Sequence, residues 1–303
     1  MNPAQFMNQT RRLPCLALVV AGLLVTWSPP SSALYTPSVA ATIASAIGGG
    51  SGSPVNLIQT QPGAPIILSL DESWRDAGVW TGYGLNRAAS RIALSNIEGS
   101  KTPAYDAWVR AISTWTDQIT ISTPDALANA PLRLRFSIRL DGHLEAHEND
   151  FTNAAATVLY EMISSDMTYG EGWVVRPSFR ADVHPTGWTT DGGHESLDVD
   201  TILHGELIAL NGHTFNLVSS LHVDTQALLM GPPAGAWAES LFGNSAEWLG
   251  ATVWNGDTAL TDFTIRSGSG FDYAMRTTSV PEPSVLYLLG IGLFGLGVLR
   301  RRA

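Results

Sequence analysis

The chain closes on a segment that a globular core accommodates poorly. Val285–Leu299 carries no charge, and Arg300, Arg301 and Arg302 follow it directly. As a helix at about 1.5 Å per residue the run spans roughly 22 Å, short of a bilayer core of about 30 Å. Ser284 on one side and snorkelling arginines on the other extend its reach. A buried core helix would not be apolar on every side and then end in three adjacent arginines. A single membrane helix is therefore expected in 280–303, with the arginines on the cytoplasmic side and everything before Pro281 outside.

The opposite end points the same way. Arg11 and Arg12 precede the apolar run Leu13–Trp27, and Ser31-Ser32-Ala33 supplies small residues before a cut at Leu34. Residues 1–33 read as a secretory signal peptide. Cys15, the only cysteine, falls inside it, so the domain beyond must stand on its core without a disulfide. Removing both ends leaves 12 of the 17 basic and 26 of the 27 acidic residues, a net charge near −14. Such a balance argues against nucleic acid and anionic polymers as partners. Gly290, Gly292 and Gly295 match a dinucleotide-binding fingerprint in spacing, but no strand-helix-strand unit fits around them before the chain ends. They read instead as small residues that let another membrane helix approach.

Val280-Pro281-Glu282-Pro283, the apolar run and the arginine cluster, in that order, resemble the PEP-CTERM sorting signal of exported bacterial proteins. The resemblance covers only about the last 24 residues. It implies an exosortase-like membrane protease as partner, with Val280, Pro281, Glu282, Pro283, Arg300, Arg301 and Arg302 as the sorting residues. It also implies an inner-membrane precursor that ends at the cell surface or in the extracellular matrix. The layout before the tail, with Asp141-Gly142 in the middle and the strand Thr261–Ile265 ahead of a Ser-Gly-Ser-Gly stretch, resembles the β-rich ectodomains of such proteins more loosely.

Low charge (15%) with 29 glycines points to an all-β domain rather than a helical one. Residues 34–64, Ala-rich and then Gly/Ser-rich, read as a flexible lead-in. Residues 65–279 read as a β-sandwich of jelly-roll type, built from short strands at turn-punctuated spacing. Ala104–Ser122 fits a helix or a long strand; the alternation of Ala107, Val109, Ala111, Trp115, Ile119 and Ile121 favours the strand. Leu132, Leu134, Phe136 and Ile138 alternate with polar residues up to Asp141-Gly142, which predicts a hairpin with a three-residue loop. That register sets Arg139 beside His143, Ser137 beside Glu145 and Arg135 beside His147. Further strands are expected at Phe151–Met162, Gly172–Val183 and Ser196–Leu203, with a second hairpin turn at Asn211-Gly212.

Two clusters carry candidate chemistry. His143, Glu145 and His147 share a strand face, a donor set suited to zinc or a similar metal, with Glu148 adjacent. The facing arginines favour an ion-paired solvent face there instead. Asp191, Glu195, Asp198 and Asp200 lie on and after a Gly-rich turn and form a candidate calcium loop, although the spacing matches no EF-hand. The tryptophans offer platforms for sugar faces, but burial in the core is their commoner fate. The leading reading is a non-enzymatic surface or matrix protein contacting exopolysaccharide. The alternative is an exported metal-assisted hydrolase acting on polysaccharide. Convergence of the two clusters in one hollow would favour the enzyme; dispersal over a sheet face would favour the surface protein.

Overall fold

A computed structural model describes residues 36–48, 54–63, 65–72, 74–95, 105–148, 152–164, 173–185, 193–229 and 235–274. The expected signal peptide 1–33 and sorting segment 280–303 lie outside the described residues, as does Asp191. Among the described residues there is no helix, and therefore none long and apolar enough to cross a membrane. The strands are β1 (Ser38–Gly48), β2 (Val55–Gln61), β3 (Ile66–Glu72), β4 (Arg75–Gly82), β5 (Leu85–Ser95), β6 (Tyr105–Ser122), β7 (Pro131–Glu148) and β8 (Thr152–Ser164). They continue with β9 (Trp173–Val175), β10 (Ser178–Val183), β11 (Gly193–Leu210), β12 (Thr214–Leu229), β13 (Gly235–Asn255), β14 (Thr258–Ala259) and β15 (Thr264–Ser267).

These strands form two antiparallel sheets. One runs β10-β8-β12-β6-β1-β2 with β15 added on β6; the other runs β3-β4-β5-β13-β7-β11-β9 with β14 added on β13. The sheets face each other, β12 over β5 and β13, β6 over β4 and β5, β1 over β3 and β4, and β8 over β7 and β13. Alternation places the core. Ala107, Val109, Ala111, Trp115, Ile119 and Ile121 of β6 are all buried, as the strand reading of Ala104–Ser122 requires. They meet Leu134, Phe136, Ile138 and Trp248 in one apolar cluster, where Phe136 and Trp248 stack at 4.7 Å. Burying each such large side chain stabilises the fold by roughly 1.5–3 kcal/mol.

Four expectations need correction. The stretch read as a flexible lead-in contributes β1 and β2, with Val39, Ala41 and Ile43 buried between β2 and β6. Its residues alternate, with Val39, Ala41, Ile43 and Ser45 inward and Ala40, Thr42 and Ala44 on the other face. The Asp141-Gly142 hairpin is absent: β7 passes straight through, with Asp141 opposite Asp200 and Gly142 opposite Val199 on β11. Gly142 is there for space, because a Cβ would sit 2.5 Å from the Phe242 ring. β13 bulges beside it, between Leu241 and Ser245. The predicted faces survive, because a straight strand keeps the same parity as a three-residue loop.

Asn211-Gly212 does turn, with Gly212 at φ 84°, but the strands it joins enter different sheets. The buried Asn211 amide is committed elsewhere. Its Nδ2 donates to the carbonyls of Thr123, Ala126 and Leu127 at 2.9–3.1 Å, and its Oδ1 accepts from the Thr123 amide at 3.0 Å. Gly172–Val183 is likewise not one strand. β9 and β10 part around Pro177, whose carbonyl accepts from the Met162 amide at 3.2 Å.

Candidate functional site

The odd-numbered residues of β7 point away from the core, so the outer face of the larger sheet carries its charged residues. At one end three neighbouring strands bring nine positions into a grid. Trp237, His147 and His194 form one row, Glu239, Glu145 and Ser196 the next, and Leu241, His143 and Asp198 the third. The ladders themselves create this patch, with β13 and β11 flanking β7.

Hydrogen bonds fix much of it. His143 Nδ1 lies 2.7 Å from Asp198 Oδ1, and His143 Nε2 lies 3.3 Å from Glu145 Oε2. His194 Nε2 contacts the other Glu145 oxygen, Oε1, at 2.6 Å. The hydrogen bond to Asp198 raises the His143 pKa above its usual range. The His194 contact holds the Glu145 carboxyl below the usual carboxylate range. His147 stacks against Trp237, ring centroids 6.2 Å apart and 25° between planes. One ligand atom from each of His143, Glu145 and Glu239 lies within 4.8 Å of the others.

The arginines expected to face the histidines stand further along the strand. Arg139 is four residues from His143, roughly 13 Å away along β7, and pairs with Asp200 and Asp141. Arg135 pairs with Glu206 at 2.6 Å and lies over the Trp254 ring, 4.4 Å from its centroid. Their charges are spoken for, and the repulsion argued against a metal at His143 does not operate at that distance. Glu148 separates from its predicted neighbours, since it faces inward and is buried. Burial raises its carboxyl pKa.

The structure divides the calcium candidates as well. Asp198 and Asp200 share the outer face, bonded to His143 and Arg139. Glu195 has the opposite parity on β11 and accepts a hydrogen bond from the His184 amide at 2.9 Å. Glu239 was missed by sequence reasoning. It lies more than 90 residues from Glu145, and only the β13–β7 register puts the two carboxylates directly opposite. A groove of about 560 Å³ opens elsewhere on this face, lined in part by Arg135, Ile202, His204, Glu206 and Thr252. The histidine patch lies outside it, on the open sheet.

A second group of titratable residues sits inside the sandwich. Asp117 of β6 is fully buried. Its carboxylate accepts from the amides of Gln118 (2.8 Å) and Ser269 (3.0 Å), from the Ser269 hydroxyl, and from the Tyr273 hydroxyl (2.9 Å). Tyr273 is buried too, and its carbonyl accepts from Trp248 Nε1 at 2.9 Å. Phe271 packs edge-on against Tyr273 and lies so close to Gly84, at φ 72°, that a Cβ there would meet its ring at 2.2 Å. These contacts fasten residues 264–274, the last described stretch of the chain, to the core.

A family model for the PEP-CTERM protein-sorting motif matches residues 279–302. The chain thus ends in a PEP-CTERM motif and is β-rich before it. Such signals mark proteins exported to the cell surface and imply processing by an exosortase. No curated protein matches the chain.

Proposed function

We propose that this chain is a surface or extracellular-matrix protein that an exosortase-like membrane protease delivers outside the cell. The observation that carries the reading is the sorting motif at 279–302. In this reading Val285–Leu299 holds a precursor in the inner membrane with Arg300, Arg301 and Arg302 on the cytoplasmic side. The protease grips Pro281-Glu282-Pro283, which the two prolines keep extended. The architecture agrees with such a role. The sandwich is tied off at Tyr273, and the motif begins five residues after Ala274, the last described residue. Repeated switching between sheets from β5 to β13 supports the jelly-roll form expected of the domain.

Contact with exopolysaccharide fits the outer faces better than any hollow. Trp108 on the smaller sheet is 38% exposed, beside Gln226 bonded to Asp106 and Arg110 paired with Asp224. An open aromatic ring flanked by fixed polar groups suits a sugar face. The spread of the histidine patch over an open sheet favours a surface protein over a hydrolase. The test changes Pro281→Ala with Glu282→Gln and leaves Val285–Arg302 intact. Precursor is expected to accumulate in the inner membrane on fractionation. Normal-size protein at the surface or in the medium would show that the tail is only an anchor.

A further inference from the structure

We propose that His143, Glu145 and Glu239 form a binding site for a divalent transition metal of the zinc class on the outer face of the larger sheet. The donor set is one imidazole and two carboxylates, which suits such an ion and not a soft or a purely oxygen-seeking one. The spacing also fits. Two ligand atoms on a tetrahedral metal with bonds of about 2.0–2.1 Å lie about 3.3 Å apart. His143 Nε2 and Glu145 Oε2 are 3.3 Å apart, and one ligand atom from each of the three residues lies within 4.8 Å of the others.

The surroundings orient the two ligands, and the metal would displace the proton that His143 Nε2 shares with Glu145. Asp198 takes up His143 Nδ1, so the ring presents Nε2 toward the carboxylates. His194 occupies Glu145 Oε1 and leaves Oε2 toward His143. A carboxylate behind a histidine ligand and a donor behind a carboxylate ligand are the usual supports of a metal centre. Without a cation, Glu145 and Glu239 oppose each other across the β7–β13 ladder, an arrangement that like charge makes unfavourable. Arg91 stands opposite Glu239 on β5, with Asp76 beyond it on β4. His143 and His194 reach Asp198 and Glu145, while the cation that the ladder sets beside Glu239 is Arg91, which Asp76 shares. Three protein ligands leave a fourth position toward solvent, open to water or to a donor from a neighbouring polymer.

The experiment uses the protein as it is secreted, melted with zinc ion alone and with chelator. Cobalt(II) serves as a visible-absorbing substitute. At about 100-fold excess over the dissociation constant the melting temperature is expected to rise by about 5 °C, with a tetrahedral cobalt spectrum. Glu239→Gln and His143→Asn should lose both signals while melting within about 2 °C of wild type in chelator, since both residues face solvent. Asp198→Asn should weaken binding about 10- to 100-fold. Absence of a zinc shift, or a shift unchanged in Glu239→Gln, overturns the proposal. So does a shift with calcium alone that Asp200→Asn abolishes, which would return the site to the carboxylates of β11.

Discussion

The Asp117–Tyr273 knot and the His143–Glu145–Glu239 patch hold similar groups in opposite settings. In the knot a single carboxylate meets four donors, and each partner comes from the chain itself. In the patch two carboxylates face each other, and the neighbouring histidines support only part of the set. A buried polar group must be satisfied internally or the fold loses stability. A solvent-facing group can wait for a ligand. Saturation, rather than the residue types, separates a structural cluster from a binding one.

The largest effect should come from the knot. Tyr273→Ala removes a fully buried ring and one donor to Asp117, and should cost about 3–5 kcal/mol in urea unfolding. Tyr273→Phe keeps the ring and should cost about 1.5–3 kcal/mol, the range for a bond to a charged acceptor. A cost under about 1 kcal/mol for Tyr273→Ala would mean that the last described stretch is not part of the core.

Gly142→Val comes next, at about 1–3 kcal/mol, because the added carbons enter the space of the buried Phe242 ring. The substitution disturbs the core beneath the patch. Zinc binding at His143 should then weaken along with stability, whereas substitutions in the patch leave stability alone.

A smaller effect depends on pH. Burial raises the Asp117 carboxyl above its ordinary value near 3.8. The folded state then binds this proton more tightly than the unfolded state, so the ionised form costs stability at neutral pH. That cost is relieved as pH falls through the folded pKa and is gone below the unfolded one. Lowering the pH from about 7 to about 4 should therefore raise the urea midpoint of wild type relative to that of Asp117→Asn. A change in the opposite direction would mean that the four donors outweigh burial.

The smallest effect belongs to the patch. In chelator Glu239→Gln should alter stability by no more than about 0.5 kcal/mol, toward stabilisation, since it relieves a like-charge pair. A loss above about 1 kcal/mol would make Glu239 structural and remove the contrast.

How much of this could be read from the chain depends on the range of each interaction. The face of β7 was readable because alternation is local: Leu132, Leu134, Phe136 and Ile138 inward, Arg135, Arg139 and His143 outward. The meaning of Gly142 was not, because its reason is Phe242, a hundred residues away. Asn211-Gly212 carried a correct turn signal and a wrong partner, since strand pairing follows the inward faces and not the turn. His143 and Glu145 were found by their spacing, and Glu239 only by register. Nothing local marks Tyr273; its role rests on Asp117, 156 residues earlier in the chain.

Sorting to the surface is read from the intact mass of the protein recovered from outside the cell. The expected chain begins at Leu34 and ends at or near Pro281-Glu282-Pro283, without Arg300, Arg301 and Arg302. Extracellular protein that keeps Val285–Arg302 at full mass would contradict it.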